Sequence, residues 1–412
     1  MQQKISISHH RGGGAFKDSL KSFLDSIGLL KPIQAAKRFL CPPPPVPPFI
    51  PNVNKTNYDK KCLLIYITHP FVWKINDTHQ NQWQAAEMAR IIGTFGYNVD
   101  VASCFREDIF NQINNKYDLI IDIISREKNF WSHCMNEGCK IIMYATGSSH
   151  KFSYEQELQR LADLEQRRGV KLQLVRSSLE GTQNEREIEN ANLFWSIGNS
   201  YNLKSYDYLH IPPVCYIKNN GYNFDWLNLN ITRNKKNFLY FASSGQVHKG
   251  LDLLLEIFSK PGFEYNLYIC SSLTREYDFC KEYKRELFEI PNIHTIGFID
   301  INGSEFRELT EKCAYSIMPS CSEGLAGSIL TVMSAGVIPI VSKECGFEDD
   351  EVINLPDCKI DTIEKFIRNY SAKPDEWIKQ ESSHVVEIVK TRYSRQNFTD
   401  SVIAAMNKLA SL

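Results

Sequence analysis

Residues 315–346 read YSIMPSCSEGLAGSILTVMSAGVIPIVSKECG, and the order of apolar, small and polar residues in this stretch decides the fold. Tyr315–Met318 is a short apolar strand, Pro319–Glu323 a polar turn, and Gly324–Gly327 a loop bounded by glycines. A compact helix is expected from about Ser328 to Ala335, stopped by Gly336, with a second buried strand at Val337–Val341. A strand–loop–helix–strand unit of this kind presents unsatisfied backbone N–H groups and a partial positive charge at the helix start. Such an end suits an anion, a phosphate above all, and Glu323 stands at its mouth.

The same alternation runs outward on both sides. Upstream, Asn237–Ala242 reads as a strand, Leu251–Phe258 as a helix and Asn266–Cys270 as a strand. Helices near Tyr277–Phe288 and Phe306–Lys312 flank a strand at Asn292–Ile296. An earlier series has strands at Cys62–Thr68, Asn98–Ala102, Tyr117–Ile124, Lys140–Tyr144 and Asn192–Ile197, with helices over Trp83–Thr94 and Tyr154–Arg168. Runs as apolar as CLLIYIT belong in the centre of a parallel sheet covered on both faces. The expected fold class is therefore α/β, two Rossmann-like doubly wound parallel-sheet domains facing across a cleft. Residues 55–228 would form the first domain and 229–392 the second, joined through the Pro- and Asn-rich stretch 209–236. Residues 393–412 form a closing helix placed to cross back onto the first domain.

Residues 1–54 differ in kind. Phe16, Leu20, Phe23, Leu24, Ile27 and Leu30 recur at helical spacing, and Cys41–Pro51 is a proline-rich tether. The amphipathic segment, residues 16–39, would dock on the chain's own body or a partner, or lie on a membrane surface. A net charge of −1 over 412 residues gives no reason to expect nucleic acid or a strongly anionic partner. The 12 cysteines include no C-x-x-C pair. Cys134 and Cys139 beside His133 lack a second ligand pair for zinc, and Asp349-Asp350 reads as an exposed acidic pair, so no metal is expected. With no signal peptide and no apolar run of membrane-spanning length, the expected setting is cytoplasmic or membrane-peripheral, with reduced thiols.

Chemistry concentrates in loops at the carboxyl ends of strands. Ser243-Ser244-Gly245 follows the first strand of the second domain, and Lys249-Gly250 opens the next helix. The spacing is not that of a P-loop. Together with the Gly324–Ser328 loop, it makes a site for a diphosphate held by Lys249 and helix-end N–H groups. In the first domain, one loop carries His79 and Asn81, and another carries Gly147, Ser148 and His150.

From Asn237 to Gly346 the chain resembles the nucleotide-sugar-binding half of GT-B glycosyltransferases, specifically the large retaining family four (glycosyl transferases group 1). Its pattern has a K-G pair opening the first helix and a P-S-x-x-E-G block that leads, through a second glutamate, to a glycine and a P-x strand. Here the block runs Pro319-Ser320-Cys321-Ser322-Glu323-Gly324 and on to Gly336 and Pro339. The resemblance implies that Lys249 binds the donor diphosphate and that Glu323 faces the donor sugar. Gly324, Leu325, Ala326, Gly327 and Ser328 would supply N–H groups, with Ser243, Ser244, Gly245, Gly250 and Ser322 completing the donor site. His79, His150, Asn81, Gly147 and Ser148 become candidates for contacts with the sugar or the acceptor.

Two departures stand out. Thr331 replaces the second glutamate, a weaker acceptor for a ribose hydroxyl, and the arginine that commonly precedes the lysine is absent, with Ser243, Ser244 and Gln246 in its loop. The implied activity is sugar transfer, with retention, from a UDP- or GDP-type donor to a saccharide, lipid-linked or small-molecule hydroxyl, with no cofactor. The departures leave a second reading, a catalytically weak relative serving as a binding or scaffold subunit. A sugar-nucleotide epimerase fits less well, because the loop residues match the transferase pattern.

Overall fold

A strand that is apolar on both faces needs a neighbour on each side and a helix layer above and below, and Cys62–Tyr66 obtains all four. The computed structural model describes residues 45–73, 75, 79–123, 126 and 130–412. The segment 16–39, the tether's start at 41–44, Asp77 and Thr78 beside His79, and Ile124 lie outside the described residues.

The first sheet holds β1 (Phe49–Ile50), β2 (Lys60–Tyr66), β3 (Tyr97–Ser103), β4 (Tyr117–Asp122), β5 (Met135–Ala145), β6 (Leu193–Ser196) and β7 (Val214–Tyr216), in the order β1-β3-β2-β4-β5-β6-β7. All neighbours are parallel except β1, an antiparallel edge strand. Leu64 lies between Val101 and Ile121 in this register. Phe49 and Ile50, expected in the tether, pair with β3 instead; the Pro48 carbonyl extends the pairing by accepting from Ser103 N–H (2.8 Å), and an edge strand tolerates the flanking prolines.

The second sheet holds β8 (Asn234–Phe241), β9 (Asn266–Cys270), β10 (Ile293–Thr295), β11 (Cys313–Met318), β12 (Ile338–Ser342) and β13 (Ile353–Leu355). Its order is β10-β9-β8-β11-β12-β13 and every neighbouring pair is parallel. From β8 the chain winds first to one side, through β9 and β10, and then returns to the other with β11. The loops after β8 and β11 therefore open side by side at the switch point, where a ligand crevice forms. Those loops are Ser243–Gly250 and Pro319–Gly327.

The Gly327–Ser334 helix that follows β11 is short because Gly336, at φ +79°, turns the chain back into β12. Buried Arg233 donates to the carbonyls of Ala335 (2.8 Å) and Thr310 (2.9 Å), satisfying oxygens that the helix ends leave open. Ile329, Leu330 and Met333 on this helix join the main apolar core with Tyr315, Ile317, Ile338 and Ile340. Each fully buried side chain of this size contributes roughly 1.5–3 kcal/mol against exposure.

Residues 48–412 form one compact unit, and many side chains tie its two sheets together. The His150–Arg168 helix of the first domain presents a row of arginines to the second. Arg160 donates to the Pro319 carbonyl (2.7 Å), Arg167 pairs with Asp252 (2.6 Å) and Glu256 (3.1 Å), and Arg168 pairs with Glu282 and Glu286. At the chain's end, the Arg395–Ala410 helix lies on the first domain: Phe398 packs edge-on against Trp83, and Thr399 donates to Glu87 (2.7 Å). Among the described residues no helix is long and apolar enough to cross a membrane.

Candidate active site

Lys249 owes its position to two glycines and a carboxylate. Gly245 (φ +95°) and Gly250 (φ +76°) turn the loop after β8 twice within six residues. Glu276 then accepts hydrogen bonds from the N–H groups of Gly245 (2.6 Å) and Gln246 (2.9 Å), fixing the first turn. The loop after β11 is stitched to it where Cys321 N–H donates to the His248 carbonyl (2.8 Å) and the His248 ring meets the Ser322 carbonyl (2.6 Å). The Lys249 ammonium and the Glu323 carboxylate, one from each loop, form a buried ion pair, and Ser320 Oγ donates to the same carboxylate oxygen (3.2 Å). Burial alone would raise the Glu323 carboxyl. The positive charges of Lys249, Arg176 and His248 outweigh it and hold the group down at about 2.

The first domain closes over this pair. Ser148 donates to the Glu323 carbonyl from both its N–H (3.0 Å) and its hydroxyl (2.8 Å), and the Asn202 amide reaches the same oxygen (3.0 Å). Gly324 packs so tightly beneath that an added Cβ would sit 2.6 Å from the Thr146 carbonyl and 2.8 Å from that of Ile197. His79 caps the Gln80–Thr94 helix by accepting from Asn81 N–H (3.2 Å). The residue is exposed, and desolvation, then the charges of His69, Arg176 and Lys249, push its imidazole below the ordinary value.

Several residues expected around a donor have other partners. The Gly245 N–H is taken by Glu276. Gly250 is a packing residue, since any Cβ there would collide with Pro319. Ala326 N–H donates to the Cys345 carbonyl (3.0 Å), and the Leu325 carbonyl accepts from Asn219 (2.9 Å). Thr331, buried, is committed to the Gly327 carbonyl (2.9 Å) and receives the Gln80 amide (3.1 Å). Gly147 and Ser148 grip the partner loop itself: Gly147 lies over Gly324 and Ser148 over Glu323. The His150 ring packs against Gly181, and the residue forms no hydrogen bond or ion pair with Lys249 or Glu323. Ser322 shares a hydrogen bond with Ser153 (2.7 Å), and Ser328 Oγ faces the Met318 sulfur (3.9 Å). Ser243 is exposed and Ser244 half-buried beside Lys249's loop.

Elsewhere, Asp350 pairs with Arg392 and Asp349 accepts from Asn354, while Cys134 donates to the Trp131 carbonyl. No group of three or more His, Cys, Asp or Glu side chains among the described residues has metal-binding geometry.

Sequence reasoning missed Glu157, Gln80, Glu276 and Arg176. Glu157 lies in a charged helix that reads as a solvated face, yet it is only 2% exposed. Its two oxygens accept the N–H groups of Val175 (2.9 Å), Arg176 (3.1 Å) and Ser177 (2.9 Å), and one lies 3.5 Å from His248 Nδ1. Burial opposes its ionisation, but His248 and these N–H groups win and hold the carboxyl at about 2. A carboxyl depressed in the folded state stabilises it above the unfolded value near 4.5, and that contribution fades as pH falls toward 2. Glu157→Gln replaces one acceptor oxygen with an amide that faces N–H groups. It should lower stability at pH 7 by about 1.5–3 kcal/mol. The gap to wild type should narrow below pH 4.5, as read by thermal melting. A gap that stays constant from pH 7 to pH 3 would exclude this role.

The family model for glycosyl transferases group 1 matches residues 227–357, which span the second sheet's loops and Lys249 and Glu323. No curated protein sequence matches the chain. Among solved structures, sucrose-phosphate synthase from Thermosynechococcus elongatus is similar at a TM-score of 0.60 and 13% identity, over 85% of this chain and 99% of that one. HepE of Anabaena, solved with UDP and glucose, gives 0.54 and 11%, over 86% and 100%. A glycosyltransferase from Rickettsia africae gives 0.52 and 11%, over 86% and 99%. Identities this low speak for a common fold.

Proposed function

We propose that this chain, whose residues 227–357 match the glycosyl transferases group 1 model, is a glycosyltransferase that moves a sugar from a nucleoside-diphosphate donor to a hydroxyl acceptor, with retention at the anomeric carbon. The observation that carries the reading is the Lys249–Glu323 pair, brought together by the two switch-point loops beneath first-domain residues. Breaking a glycosyl–phosphate bond leaves negative charge on the departing diphosphate. A buried cation in a water-poor cleft stabilises that charge without reorganising. In this mechanism the diphosphate displaces Glu323 from the Lys249 ammonium. The freed carboxylate then accepts hydrogen bonds from sugar hydroxyls. The N–H groups of Gly327 and Ser328 at the helix start add donors for the phosphate. Lys249 supplies the cation, so no metal is called for.

His79 is the first-domain candidate for the sugar or the acceptor hydroxyl, since its neutral form both accepts and donates. The acceptor is a saccharide, a lipid-linked sugar or a small molecule. The enzyme is proposed to work in the cytoplasm or at a membrane surface, the latter through residues 16–39.

A scaffold reading is favoured by one observation: Glu276 holds the Gly245 and Gln246 N–H groups and Gln80 holds Thr331, so donors and acceptors expected for a nucleotide are already engaged. Thermal shift with UDP, GDP, ADP, dTDP and CMP, alone and as sugar conjugates, separates the two readings. A ligand at 100 times its dissociation constant should stabilise the fold by about 2.7 kcal/mol. A selective shift, with hydrolysis or transfer of the same sugar, supports the enzyme. A flat response across the panel hands the site to the scaffold reading.

A further inference from the structure

We propose that Arg176, from the first domain, reaches across the cleft to act with Lys249 as a second cation for the donor's diphosphate. The proposal rests on the nucleotide-sugar reading above. It concerns a residue far in sequence from the loops that carry that reading.

Three features put Arg176 there. Its backbone is fixed: Glu157 accepts the N–H groups of residues 175–177, and the same carboxylate lies 3.5 Å from the ring of His248, the neighbour of Lys249. Its stem crosses the second domain at Gly245, where an added Cβ would overlap Arg176 Cγ and come within 2.8 Å of Cδ. At φ +95° this position already favours glycine, and the bare backbone opens the path. The guanidinium is also unspent. Arg160, Arg167 and Arg168 on the preceding helix each meet an acceptor in the second domain. Arg176 is exposed, and its side chain forms no hydrogen bond or ion pair among the described residues. Its stem lies against Gly245 in the loop that carries Lys249, and its charge helps to lower both the Glu323 carboxyl and the His79 imidazole.

A free guanidinium beside a cation that Glu323 already neutralises leaves the cluster of Lys249, Glu323 and Arg176 one positive charge in excess. Five N–H donors in a planar fork match two phosphate oxygens at once. The loop Ser243–Gly250 has no arginine of its own. The second cation comes from the opposite wall, so the diphosphate is gripped only when the two domains are together. Binding the leaving group and closing the cleft then become one event.

The test is isothermal titration of the full chain with UDP and GDP and, in parallel, with UMP and GMP. Arg176→Ala removes an exposed side chain without a partner and should leave the fold intact. The variant is expected to weaken diphosphate binding at least tenfold, roughly the size of one lost charge-assisted pair. Monophosphate binding should weaken less than about threefold, and Arg176→Lys should recover part of the loss, the charge without the fork. Diphosphate affinity unchanged in Arg176→Ala, or an equal loss for both nucleotides, overturns the assignment and leaves the nucleotide-sugar reading standing. A wild-type chain that binds none of the four overturns both.

Discussion

Lys249→Ala is expected to lower kcat by roughly 10²–10³-fold, the usual cost of removing one preorganised group that stabilises developing negative charge. The same substitution should also destabilise the fold, by about 3–5 kcal/mol, because Glu323 would be left buried and without its cation. The two effects have different origins and are separable. Lys249→Met combined with Glu323→Gln removes both charges, so most of the lost stability should return while turnover stays at least as low as in Lys249→Ala. The pH dependence follows from the sign of the shift. With its carboxyl held at about 2, Glu323 stabilises the folded wild type above the unfolded value near 4.5, and that contribution fades as pH falls toward 2. In Lys249→Ala the carboxyl loses its strongest positive neighbour and burial drives its pKa upward. The single variant should therefore be most impaired at neutral pH and gain on wild type in acid. Donor turnover within tenfold of wild type in Lys249→Ala, at unchanged melting temperature, would remove Lys249 from the mechanism.

The residues that were legible in the sequence are those whose role is set locally. Apolar runs such as Cys62–Tyr66 and Tyr315–Met318 announce central strands, and Gly336 announces the end of a helix through its left-handed backbone. Lys249 and Glu323 were found because each follows a strand, and the switch-point topology brings such loops together. Short edge strands carry too few residues to show a pattern, so Phe49–Ile50 read as tether and Ile353–Leu355 was not anticipated. Partners across the cleft were not legible at all. Glu276 reaches the Gly245 N–H from 31 residues away and Gln80 reaches Thr331 across 251. Local spacing constrains neither. The threonine in place of a second glutamate reads in sequence as a loss. In the fold its hydroxyl meets a glutamine amide of the opposite domain, a contact for which a bulkier carboxylate would need more room.

Gly324→Ala should separate what the two domains do together from what each does alone. The added methyl group would meet the Thr146 and Ile197 carbonyls at 2.6 and 2.8 Å and Gly147 Cα at 3.0 Å. These are main-chain atoms in the loops after β5 and β6, and no side-chain rotation relieves such contacts. Relief requires the domains to part, and parting breaks the hydrogen bonds from Ser148 and Asn202 to the Glu323 carbonyl. The Lys249–Glu323 pair, made within the second domain, is not itself strained by the methyl group. We therefore expect a lower melting temperature and a larger radius of gyration by small-angle scattering. Turnover should fall about 10²-fold, the order of loss that an ångström of misplacement brings. Affinity for a free nucleoside monophosphate should change much less, since the second domain's loops remain whole. Full turnover in Gly324→Ala would mean that chemistry tolerates an open cleft, and the first domain would then serve only to choose the acceptor. A loss of turnover together with expansion would place the reaction in the closed arrangement, where first-domain residues lie over the Lys249–Glu323 pair and water has least access to the departing phosphate.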